Sequence, residues 1–279
     1  MTINSATVKK QVFMIEPTHF EVIYNINPAM AETLEKGQKI KKKPARREWE
    51  GLRNIYTDNG LERVGMDSIK GLPDIVFTAN GGFAHNGRIV MGRFKYPERQ
   101  PESEHFYKWF TENEYETVRI DEDFEGGGDM LLWQGKFIGG HGFRSTFDGI
   151  KTAASFATFW GKEDDLVPLK LIDPRFYHLD TCFCPIGEHA FYFPGAIAPD
   201  SCEALLKLGK AVPVSEADAL KMVCNGVYFE GSSGPKFVVN DISRKLEKML
   251  EKWGIETIIN KTSEFQKSGG SNRCLSLFL

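Results

Sequence analysis

Hydrophobic and polar positions alternate between helix-like and strand-like spacing along the whole chain. The clearest helix is predicted over residues 242–253, where an apolar stripe runs among lysines and glutamates up to Gly254. Helical spacing also predicts helices over residues 45–56, 103–113, 149–160 and 201–208. Short apolar runs predict strands over residues 11–16, 21–26, 74–78, 88–91, 116–120, 167–172, 190–193 and 256–260, with a hairpin over 130–138 that turns at Gln134 and Gly135. This order predicts an α/β fold.

The composition predicts a single globular domain spanning residues 1–279. Hydrophobic residues make up 41% of the chain, 21 residues are phenylalanine, and no long Gly/Ser/Pro linker divides it. The formal net charge of −3 argues against nucleic acid as a partner, because affinity for nucleic acid depends on a basic face. A basic cluster over residues 36–47 is therefore interpreted as a solvated loop or helix start.

The sequence carries no signal for export or for a membrane. The first ten residues are polar, and no apolar stretch approaches the roughly 20 residues of a membrane span. The five cysteines are therefore expected to be thiols in a reducing, cytoplasmic compartment. Cys182 and Cys184 alternate, but no second pair of ligands accompanies them, so we predict neither a metal nor another cofactor.

The last glycine-rich segment, residues 268–277, contains Cys274. Paired glycines allow a tight turn, which would leave this cysteine on a loop where a ligand can approach. A nucleophilic cysteine needs a depressed thiol pKa, which a neighbouring cation or backbone donors supply. The alternative interpretation is a small buried hydrophobic residue.

A second polar segment, residues 173–184, contains His178 and Asp180. In an extended segment these side chains would project to one face, which suits a proton-transferring imidazole beside a carboxylate that holds a cation. The alternative is a histidine and an aspartate on the surface of an edge strand.

Two further segments combine glycines with polar residues. In residues 123–129, Glu125 and Asp129 bracket three glycines without the spacing of a dinucleotide or phosphate loop, which would allow close approach to a cationic ligand. The alternative there is a tight turn. In residues 72–82, an apolar strand carrying Asp74 and Phe77 runs into Asn80 and two glycines, the usual position of ligand contacts in α/β proteins.

Taken in order, these segments resemble the guanidine-modifying superfamily of arginine deiminases, dimethylarginine dimethylaminohydrolases and amidinotransferases. The resemblance rests on Pro-Asp-x-Val-Phe at 73–77, Phe-Glu-Gly-Gly-Gly-Asp at 124–129, His-Leu-Asp at 178–180 and Gly-Gly-x-x-x-Cys-Leu at 269–275. A closer resemblance, to the arginine dihydrolases, extends over residues 24–30, 76–80, 96–100, 142–145, 176–185 and 224–225. It implies the pentein fold, a five-bladed α/β propeller of pseudo-symmetric strand–helix modules around a central site.

The resemblance also implies roles for individual residues and a small guanidino substrate. Cys274 would be the nucleophile and His178 the general acid and base, with Glu125 and Asp180 as carboxylates that flank the guanidinium. The implied substrate-binding residues are Arg99 and Arg144, which would clamp the α-carboxylate, Arg93 as a third such arginine, and Asn27, Asp74, Phe77 and Asn80 as contacts in the site. A homo-oligomer is compatible with these assignments.

Two departures from the family bear on the substrate and one position bears on the product. Ala29 stands where the family's Asn-Pro-Trp-Met has a tryptophan, and residues 271–273 in the last loop do not follow a recognisable family motif. Asn80 stands where deiminases carry a carboxylate, and its amide offers both a donor and an acceptor to neutral citrulline. We therefore predict an arginine dihydrolase that gives ornithine, carbon dioxide and ammonia. The alternatives are an arginine deiminase that gives citrulline, a hydrolase of dimethylarginine or citrulline, and a catalytically silent arginine-binding protein.

Overall fold

The computed structural model describes residues 10–157 and 165–279, which form five three-stranded sheets. The strands are β1 (Gln11–Phe13), β2 (Glu62–Val64), β3 (Gly82–His85), β4 (Arg88–Met91), β5 (Glu116–Val118), β6 (Met130–Trp133), β7 (Lys136–His141), β8 (Leu166–Lys170), β9 (Phe183–Ile186), β10 (His189–Tyr192), β11 (Lys210–Pro213), β12 (Val227–Gly231), β13 (Gly234–Val239), β14 (Glu256–Ile259) and β15 (Leu277–Phe278). The helices are α1 (Pro28–Glu35), α2 (Lys42–Asp58), α3 (Glu102–Glu112), α4 (Phe147–Ala157), α5 (Pro199–Leu208), α6 (Glu216–Leu220), α7 (Arg244–Lys252) and α8 (Ser263–Gln266).

Every sheet has the same plan: its middle strand pairs antiparallel with one neighbour and parallel with the other. In the sheet β3-β4-β5, Gly82 lies opposite Met91 across the hairpin, and Arg88 lies beside Glu116 in the parallel pair that α3 connects. The last sheet joins the two ends of the chain, since β15 pairs antiparallel with β1 and β1 pairs parallel with β2. The predicted α/β class and its five strand–helix modules are confirmed.

The hairpin predicted over residues 130–138 is confirmed, and its turn explains its register. Gln134 and Gly135 both have positive φ, 52° and 70°, which is the backbone of a type I′ turn. This turn matches the twist of the flanking strands and places Trp133 opposite Lys136.

Amphipathic helices cover the sheets and anchor the turns that carry the candidate site. Helix α2 buries Trp49, Leu52 and Tyr56 in the same apolar cluster as Leu275, and the Tyr56 hydroxyl lies 2.8 Å from the Ser276 hydroxyl. Burial of each such large side chain contributes about 1.5–3 kcal/mol. The helices predicted over 45–56, 103–113, 201–208 and 242–253 are confirmed with small shifts of their ends. The helix predicted over 149–160 is α4, and residues 158–160 lie outside the described residues.

Two predicted strands are wrong, and both segments belong to the candidate site. Residues 21–26 are irregular, because Tyr24 and Ile26 bond to Asp74 and Arg144 and not to a neighbouring strand. Residues 74–78 form consecutive 3₁₀ turns, Pro73–Val76 and Thr78–Gly81. Proline at the first turn position has no N–H to donate to a sheet, which favours the turn. None of the helices in the described residues is long and apolar enough to cross a membrane.

Candidate active site

Short turns that precede strands β3, β6, β9, β12 and β15 carry or border several of the candidate site residues. These turns are Pro73–Val76 and Thr78–Gly81 before β3, Gly126–Gly128 before β6, Leu179–Thr181 before β9, Val223–Asn225 before β12 and residues 272–275 before β15. Tight turns at equivalent places in pseudo-symmetric modules bring together residues that are distant in sequence, as the contact between Cys274 and Asp180, 94 positions apart, shows.

His178 and Asp180 do not lie on an extended segment, so the prediction that they share one strand face is wrong. His178 precedes the 3₁₀ turn Leu179–Thr181, and Asp180 lies within this turn. The Thr181 hydroxyl donates to the His178 carbonyl at 2.7 Å, and the Leu179 N–H donates to Asp129 at 3.0 Å. These bonds tighten the turn, which brings both side chains to the centre.

The thiol of Cys274 is buried and contacts two polar side chains. The Asn225 amide donates to Sγ at 3.2 Å, while Sγ donates to Oδ2 of Asp180 at 3.5 Å. The Cys274 N–H donates to Oδ1 of Asn225 at 3.3 Å, so one asparagine holds both the backbone and the sulfur. Burial, together with the negative charge of Asp180, raises the pKa of the thiol well above its ordinary value. The shift of the thiol pKa is therefore opposite to the depression that a nucleophilic cysteine needs.

His178 forms a buried pair with Glu125. Nε2 of His178 lies 2.7 Å from Oε2 of Glu125, and the same oxygen accepts from Nη1 of Arg144 at 3.0 Å. Burial alone would raise the pKa of Glu125, but Arg144 and His178 outweigh burial and hold it well below its usual range. The ionised carboxylate accepts only, so Nε2 of His178 carries a proton.

Arg144 is held from several directions. Its guanidinium lies between the rings of Tyr96 and Tyr177, 4.7 and 4.6 Å from their centroids, and Nη2 donates to the Ile26 carbonyl at 3.0 Å. Cation–π contacts of this kind contribute about 0.5–2 kcal/mol each. Arg144 therefore links Ile26 to Glu125.

Asp180 has one oxygen without a partner. Its Oδ2 contacts Cys274, while Oδ1 is buried and has no hydrogen-bond partner among the described residues. Burial raises the pKa of Asp180 to about 6. A buried acceptor without a donor costs about 1–3 kcal/mol or more when charged, so this oxygen favours a ligand that donates hydrogen bonds.

Arg99 lies at another wall of the site. Its guanidinium donates to Oδ1 of Asn80 at 2.9 Å, to the Asp74 carbonyl at 3.1 Å and to both oxygens of Glu102 at 3.0 and 2.8 Å. These four bonds use four of the five N–H groups of an arginine. Arg99 therefore keeps one donor for a ligand.

Asp74 and Asn27 form hydrogen bonds that connect residues 24–27 with Ser268, in the loop that carries Cys274. Asp74 accepts from the Tyr24 hydroxyl at 2.7 Å and from the Ser268 hydroxyl at 3.0 Å, and burial raises its pKa. Asn27 donates to the Ser268 carbonyl at 3.1 Å, while its oxygen accepts from the Met30 N–H and caps α1.

The structure brings most of the predicted residues around one small cavity. Its lining comprises Ile26, Asn27, Met30, Asp74, Phe77, Asn80, Arg99, Arg144, Tyr177, His178, Ser268, Gly270 and Cys274. Glu125 and Asp180 lie directly behind His178 and Cys274. The cavity volume is about 10 Å³, room for roughly one water, so the residues that line it must rearrange before an amino acid fits.

Arg93 is the predicted site residue that the structure does not bring to this cavity. Its half-exposed guanidinium forms an ion pair with Asp123, and it lines a different cavity together with Arg119. Its backbone pairs with Phe124, which turns the side chain away from Glu125. The prediction of a third clamping arginine is corrected accordingly.

No family model matches this sequence, but known proteins are similar to it over nearly its whole length. The chain is 35% identical to the bifunctional arginine dihydrolase/ornithine cyclodeaminase AgrE of Nostoc over 97% of its own length, but it spans only 38% of AgrE. It is 34% identical to the dimethylarginine dimethylaminohydrolase of Mycobacterium tuberculosis, covering 95% of the chain and 84% of that enzyme. The chain belongs to the guanidine-modifying superfamily.

A solved structure of this superfamily supports the same architecture. The N-terminal domain of the cyanobacterial arginine dihydrolase ArgZ, bound to its substrate, superposes with a TM-score of 0.88 at 32% identity, covering 97% of the chain and 98% of that domain. The five sheets are therefore those of the pentein fold that the motifs implied.

Several residues that hold the predicted site residues in place were not identified from the sequence. Asn225 stood in a stretch shared with the arginine dihydrolases, residues 224–225, but received no role. Ser145 likewise lay beside Arg144, and its hydroxyl accepts from the Glu125 N–H and donates to Asp129 at 2.6 Å. Glu102 carried no signal beyond its proximity to Arg99. The available signal for Asn225 was its place before a hairpin, the same place that Asp129 holds.

Proposed function

We propose that this chain hydrolyses the guanidinium group of arginine through a covalent bond to Cys274. The observation that carries the proposal is Oδ1 of Asp180, which is buried beside Cys274 and has no hydrogen-bond partner in the part of the chain that the structure describes. A planar guanidinium offers paired N–H donors and a positive charge, which is what this oxygen lacks. The activities of AgrE and ArgZ support arginine as the substrate.

Substrate binding activates the thiol in this proposal. Burial and the charge of Asp180 raise the pKa of Cys274, so the thiol is protonated at neutral pH. A guanidinium cation between Asp180 and Glu125 stabilises the thiolate and lowers the pKa of both Asp180 and the thiol. The nucleophile is thus formed where its target carbon lies.

The first hydrolysis then proceeds in two steps. The Cys274 thiolate attacks the guanidinium carbon, His178 donates a proton to one nitrogen, and ammonia leaves a covalent thiouronium. Water next attacks the same carbon while His178 accepts its proton, and cleavage of the carbon–sulfur bond gives citrulline. Glu125 orients the imidazole through both steps.

A second hydrolysis of retained citrulline defines a dihydrolase. Cys274 attacks the ureido carbon, a second ammonia leaves, and water releases a carbamate that decomposes to ornithine and carbon dioxide. The ureido group is neutral, so the carboxylates attract it less than they attract a guanidinium. Its oxygen needs a donor, and the Asn80 amide supplies one.

The α-carboxylate of the substrate requires cationic partners. We assign this role to Arg99, which keeps one free N–H in the described structure, and to Arg144, whose guanidinium lines the same cavity. Asn27, Asp74 and Phe77 complete the wall, since all three line this cavity.

A second candidate is the hydrolysis of methylated arginine. It is favoured by the Mycobacterium tuberculosis relative, of which the chain covers 84%. Ala29, where the family motif has a tryptophan, places a small side chain two positions from Asn27. In this reaction dimethylamine would leave in the first step and citrulline would be the final product.

Product analysis decides between these functions. Purified protein is incubated separately with arginine, citrulline and asymmetric dimethylarginine, and ornithine, citrulline, ammonia and dimethylamine are quantified. A dihydrolase gives one ornithine and two ammonia per arginine, whereas a deiminase stops at citrulline. Cys274→Ser serves as the control for chemistry at the thiol, and turnover equal to wild type in this variant contradicts every covalent mechanism proposed here.

A further inference from the structure

Glu102 is a buried carboxylate outside the cavity lining. It begins α3 with no exposed surface, and both of its oxygens accept from Arg99, Oε1 from Nε at 3.0 Å and Oε2 from Nη2 at 2.8 Å. A buried carboxylate is costly unless it is paired, and a two-bond fork with arginine is the most directional pairing available. Glu102 therefore holds a cavity residue without itself lining the cavity.

The fork with Glu102 fixes the plane of the Arg99 guanidinium. The group also lies over the ring of Phe94, 4.3 Å from its centroid, and donates to the Asp74 carbonyl. Because a guanidinium is rigid and planar, holding Nε and Nη2 determines where Nη1 points. Nη1 points to Oδ1 of Asn80, at 2.9 Å.

This bond in turn orients the amide of Asn80. Arginine can only donate, so the amide oxygen must face Arg99 and the amide nitrogen must face the other way. Nδ2 of Asn80 donates to the Glu125 carbonyl at 3.3 Å and lies so close to Gly128 that a Cβ there would be 2.3 Å away. A flipped amide would place N–H against N–H.

We infer that Glu102 is a positioning residue for the second hydrolysis. Through Arg99 it keeps the NH₂ group of Asn80, and not its oxygen, turned toward the ureido oxygen of bound citrulline. The inference rests on the proposed dihydrolase function. The first hydrolysis does not need this donor, because Asp180 and Glu125 hold the cationic guanidinium.

The test is the partition between ornithine and citrulline at saturating arginine. In Glu102→Gln the side chain keeps its shape, but one acceptor becomes a donor that faces Arg99. We expect the ratio of ornithine to citrulline to fall by about tenfold, the effect of one hydrogen bond, while kcat for arginine consumption changes by less than about threefold. Glu102→Asp retains the charge, so its ratio should lie between those of Glu102→Gln and wild type.

The same helix offers a matched control. Glu104 forms an equivalent fork with Arg119, at 2.6 and 2.8 Å, on the exposed face of α3. Glu104→Gln should leave the product ratio unchanged. If Glu102→Gln does not fold, Glu102→Asp carries the test: its shorter carboxylate avoids an unpaired buried arginine but cannot hold the Arg99 guanidinium in the same place, so the ratio of ornithine to citrulline should still fall.

The outcomes separate the two proposals. A folded Glu102→Gln with the wild-type product ratio overturns the inference and leaves the dihydrolase proposal standing. Wild-type protein that makes no ornithine refutes the dihydrolase proposal before any variant is made, and the role of Glu102 in a second hydrolysis is refuted with it.

Discussion

The buried carboxylate of Asp180 should make the folded protein less stable at neutral pH than a neutral side chain would. Burial raises its pKa from 3.8 to about 6, so folding disfavours the ionised form. Above pH 6 the group is ionised in both the folded and unfolded states, and the penalty is fully present. Below about pH 3.8 it is neutral in both, and the penalty disappears. At 1.36 kcal/mol per pH unit, the penalty is about 3 kcal/mol.

The substitution Asp180→Asn removes this penalty while keeping the shape of the side chain. Loss of the contact with the Cys274 thiol offsets part of the gain, so we expect the free energy of unfolding at pH 7.5 to rise by about 2 kcal/mol. Arginine turnover should fall by at least about a thousandfold, because the guanidinium loses a charged partner in the transition state. The variant would thus be more stable and almost inactive.

Urea denaturation at pH 7.5 and at pH 4.0 measures both the gain and its pH dependence. The stabilisation should shrink at pH 4.0, where Asp180 is protonated in the folded wild type. Asp173→Asn is the control, because the hydrogen bond from Arg175 lowers the pKa of Asp173 and a neutral residue there brings no gain. A variant at position 180 that is less stable than wild type by the same amount at both pH values would refute the reasoning.

Three further predictions concern the chemistry of the site. Iodoacetamide should alkylate Cys274 slowly at pH 7 and faster at higher pH, and in Asp180→Asn the same rate should be reached at a lower pH, as peptide mass spectrometry can show; identical pH profiles would contradict a contribution of Asp180 to the thiol pKa. For arginine, kcat/KM should fall about tenfold per pH unit below pH 6, since Asp180 must be ionised to bind the cation; a flat profile down to pH 5 would contradict this. Gly128→Ala should lower the ratio of ornithine to citrulline, because the new Cβ would lie 2.3 Å from Nδ2 of Asn80 and would push the amide aside. An unchanged ratio would show that the Asn80 amide takes no part in the second hydrolysis.

Local pattern predicted the regular elements of this fold well. The helix over residues 242–253 and the hairpin at Gln134 and Gly135 follow from apolar spacing and turn chemistry, which are local properties of the chain. Residues 21–26 and 74–78 were mistaken for strands for the same reason. Residues 74–78 are buried, whereas in residues 21–26 only Ile26 is, and side chains such as Tyr24 make hydrogen bonds to the site in place of a sheet ladder.

The candidate site was harder to predict, because its contacts join turns far apart in sequence. The resemblance supplied most of its residues as a set, and that set lies around or directly behind one cavity. Arg93 is the exception. The backbone bridge between Arg93 and Phe124, which directs the Arg93 side chain outward, joins residues 31 positions apart and cannot be read from the local sequence. Asn225 shows the converse: a side chain with no motif of its own holds Cys274 in three dimensions.

In the proposed dihydrolase reaction, the charge balance of the buried site accounts for the need of bound citrulline for a hydrogen-bond donor. Asp74, Glu102, Glu125, Asp129 and Asp180 are buried at or next to the cavity, and the buried cations beside them in the described residues are Arg99 and Arg144. Burial raises the pKa of Asp74, Asp129 and Asp180, so a bound guanidinium relieves a deficit of positive charge. The ureido group of citrulline is neutral, so it does not compensate the negative charge of the buried carboxylates. Its retention must therefore depend on hydrogen bonds, and the chain from Glu102 through Arg99 to Asn80 fixes the donor that can make one.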